Sequence, residues 1–141
     1  MSDLLPQEVD PQERITRYMT NPDWFNAKTD HVSPQAFKPA PSKPLIRPTR
    51  RTSVYRTGGC QEHEIWTIGD EYVSKRHAQQ LPVLGRADIS AQAITDEDLL
   101  VVPHPHPHYR HGNIEMWPED DVQRQAKALS LSRKAKLHLR D

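Results

Sequence analysis

Five prolines fall between residues 34 and 48, at Pro34, Pro39, Pro41, Pro44 and Pro48. Each fixes φ and lacks an amide donor, so this stretch is barred from regular helix and from the interior of a sheet. Residues Trp24 to Arg51 show neither helical nor strand periodicity. The expectation is a long extended strap, pinned to a core by the aromatics Trp24, Phe25 and Phe37. A chain of 141 residues is near the commonest domain size. So long an irregular piece therefore leaves a small core, in keeping with a hydrophobic content of only 35%.

Around that strap the sequence divides into elements. Asp10-Pro11-Gln12-Glu13 carries a capping residue, a proline at the first helical position and an acid three residues after the cap. With Ile15, Tyr18 and Met19 at helical spacing, it predicts an N-terminal helix stopped by Asn21-Pro22. Thr52 to Arg56 alternates and reads as the first strand. Gln61 to Ala78 reads as helix with Ile65, Ile68 and Tyr72 inward, and Gly69 marks a break. Leu81 to Ile89 reads as a loop leading into a short edge strand. Ser90 caps a short helix, Leu99 to Val102 is a short buried strand, and Asn113 to Trp117 alternates as a strand. Pro118 then opens a last helix with Val122, Ala126 and Leu129 as its apolar stripe.

Two or three strands with three or four helices predict an α+β fold: a small mixed sheet of about three strands with a long proline-rich N-terminal extension. The expected organisation is a helix and strap over residues 1–51 and a compact domain over residues 52–141.

Lysine and arginine together number 19, as do aspartate and glutamate. No overall field therefore favours nucleic acid, membrane or acidic substrates. Cys60 is the single cysteine, which excludes an internal disulfide and a multi-cysteine zinc site. The polar start and the lack of a long apolar run predict a soluble, cytoplasmic protein with no membrane partner.

The segment His104-Pro105-His106-Pro107-His108-Tyr109-Arg110-His111 concentrates the chemistry. Alternating proline keeps it extended or polyproline-like. As a strand it places His104, His106 and His108 on one face, a candidate set for zinc or manganese with Asp88 or Glu115 as carboxylate; as a polyproline helix it splays them apart. A solvated entry to a strand explains the same residues without a ligand. Arg110, His111 and Asn113, beside Gly112, combine an anion fork, a proton carrier and an amide. With Arg56 they are candidates for a phosphate-containing ligand. A plain turn into a strand is the competing reading.

Arg47, Arg50, Arg51 and Arg56 offer a local contact for nucleic acid, or a charged and protected strand edge. Arg86 and Asp88, two apart in Gly85-Arg86-Ala87-Asp88, suit a local salt bridge on one side of a strand. Cys60 precedes a helix, a position able to lower a thiol pKa, although an unreactive thiol is the simpler expectation. No phosphate-binding loop, dinucleotide fingerprint, His-Glu-x-x-His or Gly-x-Ser-x-Gly occurs, which disfavours the common nucleotide hydrolases, zinc proteases and serine hydrolases.

At Ser53-Val54-Tyr55-Arg56, Glu64-Ile65-Trp66, Gly85 to Asp88 and Arg110 to Ile114 with Trp117-Pro118, the chain resembles small bacterial proteins associated with conflict or antiviral defence operons. The resemblance spans roughly Ala36 to Ala135 and implies a protein that works beside others, with no catalytic residues to carry over. Two functions are accordingly expected. One is an accessory subunit that contacts a partner protein through the strap. The other is an enzyme or sensor for a phosphate-containing ligand at Arg110, His111 and Asn113.

Overall fold

The computed structural model describes residues 5–41 and 50–140. In chain order the strands are β1 (Arg14–Met19), β2 (Phe25–Asn26), β3 (His31–Val32), β4 (Ala40–Pro41), β5 (Arg50–Arg56), β6 (Gly85–Ser90), β7 (Leu100–Pro103), β8 (His111–Glu115) and β9 (Lys136–Leu139). The helices are α1 (Glu62–Ile68), α2 (Ala91–Thr95) and α3 (Asp121–Lys134), and a wider π turn over Gly69–Ser74 continues α1. Six strands form one antiparallel sheet in the order β7-β8-β5-β1-β6-β9. β4 adds two residues beside β5, and β2 and β3 make a separate ribbon.

The expected sheet of about three strands is therefore wrong. Two of the six strands, β1 and β9, were hidden, and a third, β6, was misplaced. β1 was read as a helix because Ile15, Tyr18 and Met19 fit helical spacing. In the fold that spacing arises because both faces of β1 are covered, so Ile15, Thr16, Tyr18 and Met19 are all buried. The capping signal at Asp10 closes a turn instead, with the Gln12 amide donating to Asp10 Oδ1 at 2.8 Å. β6, expected at an edge, lies between β1 and β9, where it is buried almost throughout. β9 follows α3 with only Ala135 between them.

The expected boundary at residue 52 also fails, because β1 is an interior strand and the strap supplies core. Ala36 and Phe37 are fully buried, and Val32 nearly so. Pro34 starts a single 3-10 turn capped by Ser33, whose hydroxyl accepts from the Gln35 amide at 3.2 Å. Pro44 and Pro48 lie outside the described residues.

The strand register sorts side chains onto two faces. Ile15, Met19, Val54, Ala87, Ile89, Val101, Ile114 and Leu137 join Phe37, Ile94, Trp117, Ala128 and Leu131 in the main core, beneath α2 and α3. The last helix is capped by Asp120, which accepts from the Gln123 amide at 2.9 Å, and not opened by Pro118. It buries Ala128, Leu131 and Ser132, while Val122, of the expected stripe, stays 76% exposed. The small Ala128 lets the helix approach the strap at Phe37; the Val122 stripe points away.

On the opposite face Tyr18 and Tyr55 pack against Ile65, Ile68 and Val83, forming a second core under α1. Gly69, where α1 widens, has a reason to be glycine: a Cβ there would lie 2.8 Å from the Tyr18 ring.

Candidate functional site

The α1 face of the sheet has a closed end and an open end. At the closed end, on β1, β6 and β9, Arg86 donates to Glu62 at 2.9 and 2.5 Å and to Asp88 at 3.1 Å. Asp88 also accepts from Thr16 at 2.8 Å. Trp66 lies between two guanidinium groups, with Arg86 4.8 Å and Arg140 5.0 Å from its ring centre, and Arg140 forks onto Asp70 at 2.7 Å twice. The Arg86 bonds hold the Glu62 carboxyl down at about 2. The expected Arg86–Asp88 salt bridge is thus part of a larger paired network.

At the open end β1 and β5 part company after two paired residues, whereas β1 and β6 pair over six. The Arg17 guanidinium fills the gap, donating to the main-chain oxygens of Ala36 at 2.7 Å and Ser53 at 2.9 Å and covering the Trp24 ring. A cleft of about 280 Å³ opens there. Its floor is Tyr18, Ser53, Tyr55 and His111 on the sheet; its wall is Tyr72 and Val73 of the π turn, followed by Arg76 and His77, with Pro107 at the rim.

Polar groups in the cleft are organised around His111, which is buried. Its Nε2 lies 2.7 Å from Ser53 Oγ, and its Nδ1 lies 2.9 Å from the main-chain oxygen of His104. The ring meets Tyr55 edge-on at 5.1 Å. Burial pushes His111 below its ordinary value, with the His104 carbonyl bond opposing the shift. Burial also pushes the Tyr55 hydroxyl up to about 12 against the pull of the Arg76 charge, and lowers Arg17 to about 10. All three changes come from removing water. The cleft therefore presents the guanidinium groups of Arg17 and Arg76 beside a His111 that burial keeps neutral. Among the described residues no carboxylate pairs with either arginine, and none lines the cleft.

Of the residues singled out from sequence, only His111 belongs to this cleft. Arg56 is 2% exposed and holds the N-terminal segment, donating to Glu13 at 2.6 and 3.0 Å and to the Pro6 oxygen at 2.8 Å. Arg110 turns toward α1, donating to the main-chain oxygens of Arg56 and Gly58 at 2.9 and 3.2 Å and lying over Tyr109. Arg56 and Arg110 do not share a pocket. Asn113 is buried opposite Ser53 on β8 and is the cross-strand neighbour of the cleft.

The proline-spaced histidines do not converge. His104 and His106 are exposed, their ring centres 6.0 Å apart, and His108 instead stacks on Tyr109 and meets Tyr72 edge-on. Asp88 is committed to Arg86 and Thr16, and Glu115 lies at the far end of β8. Among the described residues no three His, Cys, Asp or Glu side chains are placed to hold a metal ion. The zinc or manganese expectation thus lacks a ligand set. Cys60 borders a separate cleft with His63 and Arg110, and burial raises its thiol, opposite in direction to the lowering a helix start can supply. Arg50 is half-buried and Arg51 exposed, on opposite faces of β5, while Arg47 lies outside the described residues. Among the described residues no helix is long and apolar enough to cross a membrane.

Sequence reasoning missed Arg17, Ser53 and Arg76. Arg17 was hidden in the supposed N-terminal helix. Ser53 had a signal, since strand alternation sets Ser53 and Tyr55 on one face against Thr52, Val54 and Arg56 on the other. No protein-family model, curated protein or solved structure matches this chain.

Proposed function

We propose that this chain binds a small anionic molecule, a phosphate or carboxylate compound, in the cleft between β1, β5 and the π turn. The carrying observation is the half-buried Arg17, a cation that among the described residues is bound to carbonyls and a ring and to no carboxylate, in a cleft that Arg76 also lines. Carbonyls satisfy the donors of a guanidinium but leave its charge uncompensated, and a charge withdrawn from water is stabilised by an opposite one. Tyr55, Tyr72 and the neutral His111 supply hydrogen-bonding groups that orient without repelling an anion.

This keeps the phosphate-ligand expectation but moves its cations from Arg110 and Arg56 to Arg17 and Arg76. Titration of the purified chain with pyrophosphate by calorimetry tests the reading. Wild type is expected to bind, more weakly as salt is added, and Arg76→Ala to lose about tenfold in affinity, or ~1.4 kcal/mol. Arg76 is exposed, so its removal leaves stability within about 0.5 kcal/mol. Equal binding by wild type and Arg76→Ala, or none by wild type at millimolar pyrophosphate, rejects the reading.

A further inference from the structure

We infer that Ser53 and His111 are a nucleophile and its base, and that the cleft hydrolyses small carboxylic esters bearing an anionic group. The substrate class rests on the anion-binding reading above; the chemistry rests on geometry. His111 Nδ1 lies 2.9 Å from the main-chain oxygen of His104, a group that can only accept. The ring proton therefore sits on Nδ1. Nε2 is then an acceptor, and at 2.7 Å from Ser53 Oγ it takes the hydroxyl's hydrogen bond.

That is the tautomer and the contact a general base requires toward a serine. A third group normally fixes the imidazole from behind; here it is a main-chain carbonyl in place of a carboxylate. The placement also suits the task. His111 is buried on β8, locked by the carbonyl and by Tyr55, whereas Ser53 on β5 is exposed to the cleft. Arg17 donates to the Ser53 main-chain oxygen at 2.9 Å and so helps to fix the strand backbone that carries the serine. No sequence motif announced the serine, because it sits within a regular strand and not at a glycine-flanked turn.

The reaction balances with water as the only co-reactant. Ser53 Oγ bonds to the ester carbonyl carbon as its proton passes to His111 Nε2. The bond to the alcohol oxygen breaks, and that oxygen takes the proton. Water then adds to the acyl carbon and gives a proton to His111, which returns it to Ser53 Oγ as the acyl–serine bond breaks. The products are an alcohol and a carboxylic acid.

The test treats the full chain with an alkyl fluorophosphonate, which phosphonylates activated serines, and reads intact mass and peptide maps. Labelling is expected at Ser53. It should vanish in Ser53→Ala, which removes one exposed oxygen and should keep the wild-type unfolding midpoint, and slow by about 100-fold or more in His111→Gln. Mono-4-nitrophenyl succinate should be hydrolysed by wild type and not by Ser53→Ala. An unlabelled Ser53, or equal ester hydrolysis by Ser53→Ala, overturns the inference even if His111→Gln fails to fold. Labelling of folded His111→Gln at the wild-type rate overturns the base role. Pyrophosphate binding without labelling rejects the hydrolase and leaves the anion site standing; labelling without pyrophosphate binding rejects the anionic substrate class.

Discussion

Two arginines on neighbouring strands meet opposite fates. Arg86, on β6, is 1% exposed and lies against two carboxylates and an indole, so its charge is answered within the fold. Arg17, on β1, is only half-buried and has carbonyls and an indole for company. The difference follows from what covers each end. α1 lays Glu62 and Trp66 directly over Arg86, and beyond Gly69 the chain widens into a π turn that brings Tyr72 and, after it, Arg76 instead of an acid. A paired cation in a closed layer serves stability, whereas an unanswered cation in an open cleft is a place for something to bind.

Breaking the closed end should have the largest effect. Arg86→Met leaves Asp88, 9% exposed, buried without its cation, and is expected to cost about 3–5 kcal/mol in urea unfolding. A loss under about 1 kcal/mol would mean that the two ends do not differ as described. Arg17→Met removes donors from two carbonyls but orphans no carboxylate, so a smaller loss of about 1–3 kcal/mol is expected by the same measurement. A loss as large as that of Arg86→Met would make Arg17 primarily a structural plug.

The smallest effect concerns pH. Glu62 is held at about 2 in the folded chain, below its unfolded value of about 4.3. The stability it contributes is complete above the unfolded value and is lost as pH falls through 4 toward 2. Its side chain is 65% exposed, so solvent screens the pair. Acid unfolding followed by circular dichroism should show wild type losing stability slightly more steeply than Glu62→Gln in that window. Identical slopes would place the Glu62–Arg86 contact outside the balance.

Local signals were read well wherever one face of an element meets water or a side chain bonds its own backbone. Ser90 caps α2 as expected, accepting from the Ala93 amide at 3.2 Å, and the segments around Val54, Val101 and Ile114 are strands. β1 defeated the same reasoning because a strand covered on both faces has no alternation, and its apolar spacing imitates a helix. The stripe on α3 misled because the helix packs through Ala128, Leu131 and Ser132, while Val122 and Leu129 stay exposed.

The site divides in the same way. His111 was legible as chemistry because histidine, arginine and glycine crowd one segment. Its partners were not, since Ser53 is 58 residues away and meets it only through the pairing of β5 with β8. The sequence by itself determined a neutral chain with no paired cysteines, a helix after Ser90, three of the strands and a segment rich in histidine. Tertiary structure alone decided that the first fifty residues contribute an interior strand and core, that Arg86 is answered and Arg17 is not, and that a serine faces a histidine. Pairing between distant strands sets those contacts, and no local spacing along the chain encodes which strands become neighbours.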